Sequence, residues 1–366
     1  MKLLSERMAR MIMRHYTPEQ VRWHYEHGLV LQSIYAVGER TGNAEYCSWV
    51  KSMYDTMIRD DGSIAAYKSD EYNLDQINAG KMLFTLYKTS GEQKYRIAIE
   101  TLRQQLRAQS RTKSGGFWHK KIYPYQMWLD GLYMAAPFYA QYVAMSGAVN
   151  DFADITHQFM LMVEKARDPA TGLLYHAWNE DNKQTWANPD TGCSPHFWGR
   201  AMGWYCMAIV DVLDFIPQTR VEERKALITI AEGLVPPLLA CQDPSGLWYQ
   251  VLDQGARTGN YLESSATAMF TYFLLKMLRK GYLAADAREA ARSAAFAAYQ
   301  GLLMTAVKDD ADGDPHLHGV CSVAGLGGQP YRDGSFAYYV GEPVCVDDFK
   351  GVGALILAAL EQECAA

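Results

Sequence analysis

Short segments that open on turn residues and run into glycine and aromatic residues return along this chain, with blocks of helical spacing filling the intervals. The returning segments are residues 61–67, 115–119, 171–176, 245–249, a glycine-rich stretch from Gly313 to Gly328, and residues 332–339. Each begins with turn chemistry and continues into side chains suited to a short extended piece. Between them, apolar residues recur at helical spacing and predict helices over 20–39, 44–58, 74–89, 93–109, 126–145, 150–166, 199–215, 222–240, 264–278 and 285–303, with a last one near 348–360. That is about six helix pairs. An open helical solenoid and a closed (α/α)6 barrel, with an inner ring of six helices inside an outer ring, both produce such hairpins. The closed form is favoured because loops carrying Trp, His and Asp recur around the whole chain, whereas a solenoid confines recognition to one face of a stricter repeat. The expectation is an all-α (α/α)6 barrel with short β segments in its loops. No linker or low-complexity stretch divides it, so residues 1–366 read as one domain.

Composition narrows the function classes. A chain of 366 residues that is 49% hydrophobic can bury a large core. Its net charge of -6 gives no electrostatic reason to expect nucleic acid, and an anionic ligand needs a local basic site. The first twenty residues break every apolar run with Arg, Glu or His, unlike a secretory signal, and no stretch approaches the length of a membrane span. A soluble cytoplasmic protein is expected. Seven scattered cysteines without a CxxC pair read as reduced packing thiols; with no HExxH either, neither metal nor cofactor is expected.

Three blocks carry candidate chemistry. Asp130 follows Gln126, Met127, Trp128 and Leu129 at the opening of a helix, with Trp118, His119 and Lys120 just upstream. An Asp there is equally a capping residue, but flanking Trp rings are a common way to hold a sugar and limit water near an acid. Asp75 occupies the matching position in the previous repeat, and two carboxylates at one site raise one pKa by repulsion. The third block, residues 195–205, joins Trp198, Arg200 and Trp204, a planar anion donor with two ring-sized apolar surfaces. Core packing around an ion-paired arginine is the alternative; Gly199 and Gly203 weigh against it, since they leave room for close approach of a ligand or a helix. His176 lies on another recurring segment and joins His119 and Lys120 in a rim of hydrogen-bonding or cationic groups. Glu342, Asp347 and Asp348 read as caps of the last helix.

Together, residues 128–134, 168–176, 198–204, 332–336, Glu342-Pro343 and 350–353 resemble, in this order and over nearly the whole chain, glycoside hydrolase family 105, the unsaturated rhamnogalacturonyl and related unsaturated glucuronyl hydrolases. The resemblance implies an (α/α)6 barrel that removes a 4,5-unsaturated uronic acid from the non-reducing end of oligosaccharides left by pectin-type lyases. It implies that Asp130 is the general acid and base, that Asp75 assists it, and that His119, Lys120, Trp128, His176, Trp198, Arg200 and Trp204 line the sugar pocket. The partner would be a small acidic oligosaccharide, with Arg200, Lys120 or His119 pairing with the uronate. Three other readings stay open: an ordinary glycosidase of the same barrel using Asp75 as its second carboxylate, a sugar epimerase shuttling a proton between His119 and His176, and a sugar-binding protein without catalysis.

Overall fold

The computed structural model describes residues 3–365. In chain order the helices are α1 (Leu4–His15), α2 (Tyr25–Thr41), α3 (Ala44–Met57), α4 (Asp75–Asn78), α5 (Lys81–Ser90), α6 (Gln93–Ala108), α7 (Leu129–Ser146), α8 (Phe152–Ala166), α9 (Gly199–Val212), α10 (Val221–Ala240), α11 (Ser264–Lys280), α12 (Ala285–Gly301), α13 (Phe336–Gly341) and α14 (Phe349–Ala365). The strands are short: β1 (Gln126–Trp128), β2 (Ala177–Asn179), β3 (Val307–Asp309), β4 (Pro315–Leu317), β5 (Val320–Cys321) and β6 (Val344–Cys345). They form three antiparallel pairs, β1 with β2, β3 with β4 and β5 with β6.

Two kinds of helix sort into two rings. Every residue of α9 is buried, as is every residue of α11 from Ser264 to Met277. Helices apolar on all sides belong inside. By contrast α6 buries one stripe, including Tyr95, Ile99, Leu102 and Leu106, and turns Arg96 and Arg107 outward. Packing follows that division. Around the inner ring α2 meets α4 and α5, these meet α7, then α9, α11 and α14, and α14 returns to α2. Outside it α3, α6, α8, α10 and α12 each pack on the inner helix before them, and α1 packs on α14. The ring closes, so the architecture is the (α/α)6 barrel rather than the solenoid.

Three sequence expectations change. Helix α1 was not foreseen; it supplies the sixth outer helix, with the Ser5 hydroxyl donating to Glu363 Oε2 at 2.6 Å. The helix expected over 126–145 starts only at Leu129, because residues 126–128 pair with residues 177–179 as a strand. The helix expected over 74–89 is broken at Ala79 and Gly80, where a side chain on Gly80 would fall 2.4 Å from Leu102 of α6.

One backbone device repeats at the start of four consecutive inner helices. Leu74 N–H donates to His119 O (3.1 Å), Leu129 N–H to His176 O (3.0 Å), Gly199 N–H to Gln250 O (2.9 Å) and Ser264 N–H to Gly319 O (2.9 Å). Each inner helix is thereby pinned to the extended segment that follows its own hairpin. The residue after each donor is Asp75, Asp130, Arg200 and Ser265, so these four hold equivalent positions around one mouth of the barrel.

The opposite end gathers cations where the C-terminal ends of the inner helices converge, the favourable pole for positive charge. Lys276 pairs with Asp211 (2.7 Å) and Asp214 (2.8 Å), and Arg279 with Glu361 (2.5 Å). Lys81 is buried with its Nζ 2.9 Å from the Tyr133 hydroxyl. Burial pushes its amine down to about 7; Asp211 opposes the shift and Lys276 adds to it. Since the unfolded chain keeps that proton up to about pH 10.4, stability rises with pH between about 7 and 10, by up to about 1.4 kcal/mol per pH unit. Urea unfolding across that window should therefore show a shallower pH slope in Lys81→Met than in the parent.

Candidate active site

Two Asp–His pairs occupy the mouth. In the first, Asp75 opens α4 and its Oδ1 lies 3.3 Å from His119 Nε2, while Oδ2 meets Lys120 Nζ at 2.6 Å. Burial would push the Asp75 carboxyl up, but Lys120 first and His119 second outweigh it and hold it well below the usual carboxylate range. The repulsion expected between the two carboxylates therefore does not govern Asp75, which stays ionised. Lys120 is committed to that pair, its own pKa drawn down by burial but raised on balance by Asp75.

In the second pair, Asp130 lies in the first turn of α7, and its Oδ2 is 3.1 Å from the fully buried His176 Nε2. The two atoms are off line for a hydrogen bond, so each is buried without a partner. His176 Nδ1 lies 2.7 Å from the Tyr339 hydroxyl. Trp128 touches both pairs, stacked on the His119 ring (4.6 Å, 8°) and edge-on to His176 (5.3 Å, 70°).

The third block completes the mouth. Arg200 is 1% exposed, its Nη1 donating to Cys321 O and reaching Ser265 Oγ at 3.4 Å, with Nη2 3.4 Å from Ser322 O. Its Nε is buried without a partner, and among the described residues no carboxylate forms an ion pair with it. Burial works against its charge, but the neighbouring Cys321, Glu263, Tyr25 and Asp348 strengthen its hold on the proton. Glu263 is saturated elsewhere, accepting from Ser265 Oγ (2.8 Å), Ala266 N (2.6 Å) and Cys321 N (2.9 Å). A buried guanidinium that no carboxylate contacts directly leaves donors for a ligand anion to satisfy.

Tyr25 ties the three blocks together. Its hydroxyl is held well above the ordinary tyrosine pKa by burial, then by Glu26, Asp75 and Asp130, with Arg200 opposing, so all of these charges reach one point. The three tryptophans are more deeply packed than a set of open sugar platforms. Trp128 also stacks on Tyr123, Trp198 stacks on Tyr339, and Trp204 lies deeper, face to face with Tyr133 at 4.7 Å and edge-on to Tyr25. Gly199 and Gly203 serve helix packing rather than a ligand, for side chains there would strike Tyr249 O and Met269 at 2.9 and 2.8 Å. Asp348 caps α14 through Lys350 N (3.0 Å), as read from sequence, whereas Asp347 binds His316. Among the described residues no group of three or more His, Cys, Asp or Glu side chains is arranged to hold a metal ion.

Sequence reasoning gave no role to Tyr25 or Tyr339. Tyr339 ends a recurring segment, so a signal for it existed; Tyr25 has none in its local sequence. Gly131 has a clear reason: a Cβ there would fall 3.0 Å from His119 Nδ1. Gly131→Ala is expected to keep stability within about 1 kcal/mol, the helix gain offsetting the crowding. By displacing His119 it should lower kcat roughly tenfold to a hundredfold, a split that melting curves and steady-state kinetics check together.

An (α/α)6 barrel whose mouth gathers two carboxylates, two imidazoles, an unpaired arginine and packed tryptophans is built as a glycoside hydrolase. The comparisons make this specific: the model of Glycosyl Hydrolase Family 88 matches residues 4–365, and the chain belongs to that family. A solved glycoside hydrolase from family 105 of C. acetobutylicum is 46% identical, covers 99% of this chain and 100% of its own, and superposes with a TM-score of 0.95. Protein Atu3128 of Agrobacterium fabrum is 41% identical over 232 residues, 62% of this chain and 97% of that protein. The unsaturated rhamnogalacturonyl hydrolase YesR of Bacillus subtilis is 28% identical over 255 residues, 67% of this chain and 68% of YesR. Among the described residues no helix is long and apolar enough to cross a membrane.

Proposed function

We propose that this glycosidase removes a 4,5-unsaturated uronic acid from the non-reducing end of lyase-generated oligosaccharides, with an unsaturated galacturonyl-rhamnose unit as the preferred substrate. The observation that carries this reading is Arg200, buried at the mouth beside the Asp130 repeat position with no carboxylate of its own. A uronate carboxylate would be the directly paired anion it lacks. Lys120, engaged with Asp75, is not free to play that part. The similarity to YesR supports the rhamnogalacturonan side of the proposal.

The substrate is an enol ether. Asp130 in its acid form protonates C4, the C4=C5 electron pair forms the new C–H bond, and positive charge develops at C5 shared with the ring oxygen. Water adds to C5 and gives its proton to the Asp130 carboxylate, restoring the acid. The hemiketal so formed opens between C5 and the ring oxygen, leaving C1 as a hemiacetal that expels the partner sugar. His176, its Nδ1 at the Tyr339 hydroxyl and its Nε2 facing Asp130, holds the acid in position. Asp75, kept ionised, stabilises the developing cation. One carboxylate thus does both proton transfers, unlike hydrolysis in which two carboxylates straddle the anomeric carbon.

The test is to incubate the protein with an unsaturated disaccharide prepared by a pectin-type lyase and follow the ultraviolet absorbance of its conjugated double bond. Loss of absorbance together with release of rhamnose is expected. Equal hydrolysis of the saturated disaccharide would point instead to the ordinary glycosidase.

A further inference from the structure

The cation-rich end of the barrel, opposite the mouth, holds a cavity of about 560 Å³ lined in part by Gln32 of α2, Lys81 and Thr85 of α5 and Gln141 of α7. That volume suits a small molecule. Most charges around it are already matched: Lys276 bridges Asp211 and Asp214, Lys280 meets Asp214 at 2.6 Å, and Arg279 grips Glu361 with two nitrogens. Glu39 and Arg40 line it from the end of α2. Both of these are exposed, and Lys81 is the buried exception. It is 3% exposed, and its ammonium has three donors but one hydrogen-bond partner, the Tyr133 hydroxyl, with no carboxylate paired to it among the described residues. Gln32 Oε1, on the same cavity, is buried with no partner at all.

Leaving an amine and an amide oxygen unmatched in a well-packed interior costs free energy that an occupant can recover. We propose that this cavity binds a small hydroxylated carboxylate, its carboxylate on Lys81 Nζ and its hydroxyls on the side chains of Gln32, Thr85 and Gln141. Lys81, largely neutral in the empty cavity, takes up a proton as the carboxylate binds, and the uncharged polar groups beside it match hydroxyls rather than a second charge. The site is separate from the mouth: Tyr133, which touches Lys81 through its hydroxyl, stacks on Trp204, and that aromatic layer lies between the cavity and Tyr25.

Reaction of Lys81 itself reads out occupancy. Cyanate, through the small neutral isocyanic acid, carbamylates unprotonated amines, and at about pH 7.5 only about one exposed lysine in a thousand is unprotonated. Lys81 is largely unprotonated there, so peptide mass spectrometry of the wild-type protein should find it modified ahead of exposed lysines. Galacturonate at about ten times its dissociation constant should slow that reaction roughly tenfold, while galactose at the same concentration leaves it unchanged. The same protection is expected in Arg200→Met, which separates this cavity from uronate binding at the mouth. Absence of protection, equal protection by galactose, or protection lost in Arg200→Met overturns the proposal. So does failure of Lys81 to react without ligand, which means a cavity closed to solutes. Protection by inorganic phosphate but not galacturonate overturns the ligand class.

Discussion

Asp130→Asn is expected to keep the barrel and lose about 10² to 10⁴ in turnover of the unsaturated disaccharide, the usual cost of removing a general acid or base. The exchange preserves shape at the start of α7, where the helix is held by Leu129 N–H on His176 O rather than by the Asp130 side chain. Thermal unfolding should therefore stay close to the parent's while the ultraviolet signal of the substrate persists. An active Asp130→Asn protein would remove Asp130 from the proton transfers and return the problem to Asp75.

Arg200→Met should act through binding. Losing one side of a desolvated charge pair costs about 2 to 5 kcal/mol, roughly thirtyfold to several thousandfold in kcat/KM. Most of it is expected in KM, since the uronate is charged in the ground state as in the transition state. The methyl ester of the same substrate provides the control. It carries no carboxylate, so parent and variant should handle it within a few-fold of each other, and an equal loss on acid and ester would show that Arg200 shapes the mouth without reading charge.

What could be read in the sequence was whatever is local. Helix pairs and their turns follow from spacing and from residues such as the left-handed Gly42, Gly91 and Gly147, which end α2, α5 and α7. The equivalence of Asp75 and Asp130 was legible because the repeat places both at the start of an inner helix. Their histidines were seen as separate candidates, but which one serves which carboxylate depended on the pinning of Leu74 to His119 and of Leu129 to His176, contacts no spacing rule contains. Lys120 and Arg200 looked interchangeable as uronate partners; only the 2.6 Å pairing of Lys120 with Asp75 separates them. Tyr339 meets His176 across 163 residues, and Lys350 meets Glu26 across 324. Residues 126–128 misled because Met127 and Trp128 continue smoothly into the apolar face of α7, and the strand is imposed by its partner.

The barrel is sealed by its most distant segments, since α14 fills the gap between α11 and α2 while α1 packs most extensively on α14. Joining parts so far apart carries the entropy of closing nearly the whole chain into one loop, and contacts of such range slow folding. During synthesis the earlier hairpins can assemble as a curved, unfinished wall, but the apolar flanks of α2 and α11 stay uncovered until α14 leaves the ribosome. Helix α14 is therefore the keystone of this arch, and the growing chain is exposed to aggregation until it is set in place.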